Sequence, residues 1–238
     1  MQYDLYKNLE ISAKSPFFSG PLPRREQYRV HLLALGDVGS TLATGLRLLG
    51  GDTISTLGIC DVREGVPQRW AFELNQISAC GGDRFPPVEI VDIDHILECD
   101  VFLFCASRFV PDTAVKSGDV RMAQYELNRP LVAGYARMAR EKHFRGMFCV
   151  VSDPVDQLCR AALLESNRNE AGELDYKGLS AAQVRGFGLG VMNARALYYA
   201  RRDPRFASYL TEGRAFGPHG EGLIIANSIC NYDDKLSQ

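Results

Sequence analysis

From Arg29 onward, strand-length apolar runs alternate with helix-length amphipathic stretches. "RVHLLAL" is a continuous apolar run, "VGSTLATGLRLLG" has helical spacing with apolar Val38, Leu42, Leu46 and Leu49, and "TISTLGICD" predicts a second strand. "PQRWAFELNQISA" predicts a helix with Pro67 near its start, followed by short strands at "VEIVD" and "DVFLFCA". A helix over about 120–142 leads into the strand "GMFCVVS" and the helix "PVDQLCRAALLES". After polar "SNRNEAGELDYKGLS", expected to be a surface loop, "QVRGFGLG" predicts a strand and "MNARALYYARR" a helix. Residues 1–28 lack sustained periodicity and carry Pro16, Pro21 and Pro23, so they are expected to form an irregular N-terminal arm.

Strands that are apolar throughout, each followed by a helix, predict a doubly wound α/β fold: a parallel sheet covered by helices on both faces. Right-handed crossovers then place a ligand at the carboxyl ends of the strands, where the strand order switches. The composition fits such a domain, with 238 residues, 46% hydrophobic and 24% charged. A net charge of −2 gives no footprint for nucleic acid or an anionic membrane surface. The charged N-terminus lacks the apolar core of a signal peptide, and no window reaches the ~18 apolar residues of a membrane helix, so a cytoplasmic protein is expected. Seven cysteines, none in a Cys-x-x-Cys pair and most within apolar runs, fit buried reduced thiols. The four histidines have no zinc spacing, so no metal is expected.

Between the first predicted strand and helix stands Ala34-x-Gly36-x-x-Gly39, a dinucleotide fingerprint whose first glycine is alanine. Gly36 lets the backbone approach a pyrophosphate beside Val38, and Gly39 lets helix and strand pack closely. Asp61, 22 residues after Gly39, ends the second strand, where a carboxylate can accept hydrogen bonds from adenosine ribose hydroxyls, which favours NAD over NADP. The alternative is a tight strand-helix turn with no ligand. Ala34 is the departure, because its methyl group strains a turn that glycine makes freely.

Four further islands follow in order: "VRMAQYELN" (120–128), "VVSDPVDQL" (150–158), "VRGFGLGVMNAR" (184–195) and "GPHGEG" (217–222). With the fingerprint they resemble the lactate and malate dehydrogenases over roughly 29–228. The resemblance implies a Rossmann NAD-binding domain over 29–186 and the start of a substrate domain over 187–238. It also implies hydride transfer between NAD and a small 2-hydroxy or 2-oxo acid. By motif, His219 matches the proton-transferring histidine, Arg195 the arginine that grips the substrate carboxylate, and Arg121 the loop arginine that polarises the carbonyl. Asn128 matches the family asparagine on the following helix, and Ala106, Asn128 and Ser152 would line the cofactor beside Gly36, Val38, Gly39 and Asp61. Bland readings stand beside these. A histidine among glycines is ordinarily an exposed loop residue, and Arg195 also reads as a solvated helix arginine. Arg108 is equally a second substrate arginine of malate-type enzymes or a surface charge.

Three departures bear on the mechanism. Where the family has an aspartate that orients the histidine, this chain has Met192, and a thioether cannot hold an imidazolium. Where the family has an asparagine before proline, it has Asp153, placed with the substrate-binding residues, whose ionised carboxylate would repel an anionic oxo acid even if it paired with His219 and partly restored the orienting role. The chain also ends soon after the histidine island, so a longer frame or another subunit is expected to cover "GLIIANSIC". The leading expectation is a lactate/malate dehydrogenase-like oxidoreductase with activity impaired by Met192 and Asp153. The alternatives are a non-catalytic NAD-binding relative and a Rossmann enzyme of other chemistry, such as a redox-assisted glycosidase. Self-association is expected too, through the helix carrying Trp70, Phe72 and Leu74, whose apolar surface exceeds what one sheet face covers.

Overall fold

The apolar runs become strands because both of their faces are covered. The computed structural model describes residues 25–78, 84–108, 120–217 and 222–231. In it β1 (Tyr28–Leu33), β2 (Ile54–Cys60), β3 (Val88–Ile90), β4 (Val101–Phe104), β5 (Met147–Val150) and β6 (Val184–Gly186) form one sheet. Every pairing is parallel, in the order β3-β2-β1-β4-β5-β6. The order switches direction between β1 and β4, which opens a crevice at their carboxyl ends. The crossovers carry α1 (Asp37–Leu49), α2 (Val66–Asn75), α3 (Val120–Glu141) and α4 (Val155–Ser166).

Alternate strand residues feed two cores. Phe102 and Phe104 of β4, with Phe148 and Val150 of β5, pack on Val132, Ala136 and Ala139 of α3 and on Leu158, Ala161 and Ala162 of α4. The residues between them, Leu103 and Cys149, join Leu32, Leu57, Ile59, Ala43 of α1 and Leu74 of α2 in the second core. A fully buried Phe or Leu of this kind contributes about 2 kcal/mol. His31, at the centre of β1, is buried too, and its Nδ1 lies 2.9 Å from the Ile96 carbonyl. Burial lowers its pKa, so it is a neutral core histidine.

The structure specifies how two of the helices pack. The face of α1 that is buried is Gly39, Ser40, Ala43 and Arg47, while Val38 and Leu49 are exposed and Leu42 and Leu46 pack at the core margin. Small residues let the helix approach the sheet, and Arg47 is accommodated because its guanidinium reaches the carbonyls of Leu74, Pro86 and Ile77. On α2, Leu74 belongs to the core and Trp70 packs against it, which leaves Phe72 as the exposed large apolar side chain of that helix. The polar segment after α4 is a loop as expected, yet it is pinned: Asn167 is fully buried and its side chain bonds Leu163, Leu179 and Gly178, while Arg140 forks onto Asp175.

The chain divides into two compact units, up to Gly186 and from Phe187. The second unit contains α5 (Leu189–Ala200), the short α6 (Tyr209–Glu212) and an antiparallel hairpin of β7 (Arg214–Phe216) and β8 (Ile224–Ala226). "GLIIANSIC" therefore pairs with a strand that carries no periodic signal of its own. Most of the N-terminal arm lies outside the described residues.

Candidate functional site

The turn between β1 and α1 sits at the switch point and is built from two constraints. Ala34 has φ +74°, a left-handed conformation strained for a residue with a Cβ. Its N–H donates to the Cys60 carbonyl at 2.7 Å, which fastens the turn to the end of β2. A Cβ on Gly39 would stand 1.9 Å from the Ala34 carbonyl oxygen, so only glycine lets α1 start this close to the strand. A Cβ on Gly36 meets nothing within 4 Å, so the backbone there faces open space. Gly36 also caps α1 without a side-chain hydrogen bond, leaving its first turn open to an anion, with exposed Val38 beside it. Exposed Asp37 is the opposing charge in that turn. These features fit a pyrophosphate.

Asp61 follows β2, and its side chain is only 3% exposed. Oδ2 accepts from the Leu35 N–H at 2.7 Å and from Arg63 Nη2 at 2.8 Å, and Oδ1 accepts from Arg63 N–H and Nε at 2.9 Å each. Burial raises its pKa, but the hydrogen bonds from the Arg63 side chain and from the Leu35 and Arg63 backbone outweigh it and hold the group at about 2. The Arg140 fork likewise holds Asp175 at about 2. Both groups sit below their ordinary 3.8, so unfolding takes up protons in acid. Their stabilisation is complete above about pH 5 and is lost as pH falls from about 4 to 2. Urea midpoints measured across that range should drop, whereas between pH 5 and 7 these two carboxylates should contribute no slope. Arg63 was not among the residues picked out by motif, although its place two positions after Asp61 is where an Asp side chain bonds a following N–H.

Across the crevice, the loops after β4 and β5 are joined by α3. Asn128 is fully buried: its Oδ1 accepts from the Arg108 N–H at 2.8 Å, and its Nδ2 donates to the Asp153 carbonyl at 3.0 Å and to Ser107 Oγ at 3.1 Å. Ser152 Oγ donates to the Ala106 carbonyl at 2.8 Å. Ala106, Asn128, Ser152, Asp153 and Arg108 are thus brought together, and the amide of Asn128 holds the two loops in register. Asp153 and Arg108 are exposed, and among the described residues nothing pairs with the Asp153 carboxylate. The Asp153–Pro154 peptide is cis. Arg121 stands in the first turn of α3, half-buried.

In the second unit, Met192 and Arg195 lie one turn apart on α5 and line a cavity of about 500 Å³ with Tyr199, Phe206, Tyr209 and Ile225. Met192 is 7% exposed, whereas Arg195 is exposed. His219 and its proposed pairing with Asp153 lie outside the described residues. Among the described residues no group of three or more His, Cys, Asp or Glu could hold a metal, and no helix is long and apolar enough to cross a membrane.

The strand order, the crossovers and the glycine turn define a Rossmann-type α/β sheet. No family model matches the chain. It is 26% identical over 203 residues to the L-lactate dehydrogenase of Treponema denticola, covering 84% of this chain and 58% of that protein. Among solved structures it is similar to a lactate dehydrogenase from a Medee basin deep-sea metagenome library, with TM-score 0.67, 21% identity and coverage of 85% of this chain and 58% of the other. It is similar too to the lactate dehydrogenase of Eimeria maxima solved with NADH and oxamate, with TM-score 0.61, 15% identity and coverage of 85% and 56%. Malate dehydrogenases share the fold. The chain is thus similar in sequence to a lactate dehydrogenase and in fold to lactate and malate dehydrogenases, and it spans 58% of the length of the curated relative it matches.

Proposed function

We propose that this chain is a lactate/malate dehydrogenase-like oxidoreductase that binds NAD at the β1–α1 turn and acts on a small 2-hydroxy or 2-oxo acid. The observation that carries the reading is the coincidence of the Gly36–Gly39 turn and Asp61 at the switch point of a β3-β2-β1-β4-β5-β6 sheet. NAD would supply or take up the hydride. Gly36 and the start of α1 would hold the pyrophosphate, Asp61 the ribose, and the loops fixed by Asn128 and Ser152 the nicotinamide half. His219 would exchange the proton with the substrate oxygen, Arg121 would polarise the carbonyl and Arg195 would grip the carboxylate. On this reading residues 29–186 are the cofactor domain and 187–238 part of the substrate domain. A second reading, a non-catalytic NAD-binding relative, is favoured by the burial of Met192 in an apolar wall where a proton relay needs a carboxylate.

A cytoplasmic setting fits the six free cysteines among the described residues, of which burial pushes Cys99, Cys105 and Cys149 up to about 12. Self-association through α2 would rest on Phe72, which is 71% exposed. Titrating the folded protein with NADH while following nicotinamide fluorescence tests the central claim. Saturable enhancement is expected, and absence of binding at millimolar NADH rejects it.

A further inference from the structure

The carboxylate meant for the ribose is already fully engaged. An ionised carboxylate offers about four acceptor positions, and on Asp61 they are taken by two backbone N–H groups and two guanidinium nitrogens. The backbone bonds belong to the turns that follow β1 and β2, so a ligand could exchange only with the Arg63 fork. Arg63 is 57% exposed in its side chain, and its charge also interacts favourably with Asp37 in the first turn of α1. The guanidinium is thus held at the end of β2, where a dinucleotide would put its ribose.

Resting on the dinucleotide reading above, we propose that Arg63 sets the cofactor choice of this chain. By neutralising Asp61 and presenting a guanidinium at the ribose position, it makes the subsite accept a 2′-phosphate. A free carboxylate there discriminates against a 2′-phosphate by repulsion and in favour of a 2′-hydroxyl by accepting from it, whereas a nearby arginine accommodates the phosphate. Here both preferences of the carboxylate are cancelled: its acceptors are filled and its charge is paired. A 2′-hydroxyl must displace a two-pronged ion pair, whereas a 2′-phosphate adds to the exposed edge of the same guanidinium by charge-assisted hydrogen bonds. The NAD preference expected from Asp61 alone is thereby reversed.

The test compares NADH and NADPH by fluorescence titration, and 5′-AMP with 2′,5′-ADP by thermal stabilisation, in the wild type and in Arg63→Ala. The wild type is expected to bind NADPH at least as tightly as NADH and to be stabilised more by 2′,5′-ADP. In Arg63→Ala, NADPH binding should weaken by roughly 30-fold, from loss of charge-assisted hydrogen bonds and unmasking of Asp61, while NADH binding holds or tightens. Wild-type preference for NADH by about tenfold or more, or an NADH-to-NADPH ratio unchanged in Arg63→Ala, overturns the proposal and leaves NAD binding standing. Failure of the folded wild type to bind either nucleotide overturns both. The wild-type comparison decides the matter even if the variant does not fold.

Discussion

Gly39→Ala is expected to lower folding stability by about 3 kcal/mol or more, whereas Gly36→Ala should change it by less than about 1 kcal/mol. The two glycines are three residues apart and chemically identical, so the difference lies in what a Cβ would meet. At Gly39 it would stand 1.9 Å from the Ala34 carbonyl oxygen and 3.4 Å from Cys105 Cβ. That carbonyl cannot retreat cheaply, because the Ala34 N–H is bonded to Cys60 and the Leu35 N–H to Asp61 on either side of it. At Gly36 the methyl enters open space with a φ of −71°, which any residue adopts. Its effect should fall on nucleotide affinity, since the methyl would occupy the approach of the pyrophosphate. Urea unfolding and NADH titration of both variants should therefore separate: stability lost at Gly39, binding lost with stability kept at Gly36. Comparable stability losses in the two would mean that the turn does not pack as described.

The strands are legible because burial on both faces leaves few polar residues to interrupt the pattern, His31 in β1 being one that the core accommodates through the Ile96 carbonyl. Phe102, Leu103 and Phe104 feed opposite cores, yet all three must be apolar. Asp61 and the glycines were legible because their spacing follows from strand and helix lengths. The buried face of α1 was not, because Arg47 reads as a surface cation and its acceptors come from residues 27 to 39 positions away. The same limit hid the Arg63 fork: the sequence places an arginine two residues after Asp61 but does not say that it folds back. β7 is not legible because three residues of a hairpin carry no period. Ala34 is the opposite case, since the strain inferred from an alanine in a glycine position reappears as φ +74°.

Steady-state oxidation of lactate and malate by the wild type should be weak or absent, and Met192→Asp with Asp153→Asn should restore activity together more than the single changes predict. In a hydrolase relay, disabling the orienting carboxylate costs about 10⁴ in turnover, and Met192 can supply neither a hydrogen bond nor a charge in that role. The structure adds why Met192→Asp alone should give little. Met192 is buried on α5 beside Ala196, Ala200 and Ile225, so an introduced carboxyl would be desolvated, its pKa raised and the unit destabilised unless an imidazolium met it. On the proposed reading Asp153, whose exposed carboxylate follows β5, would repel an anionic acid. Asp153→Asn removes that charge and provides an amide that can donate, but leaves the ring of His219 without its partner. Each single variant should gain no more than about tenfold in kcat/KM and the pair about 10²–10³-fold, a coupling expected of groups that serve one reaction. Full turnover by the wild type on a simple 2-hydroxy acid, lost on Met192→Asp, would show instead that the apolar wall is part of a working site and that His219 is oriented by some other group.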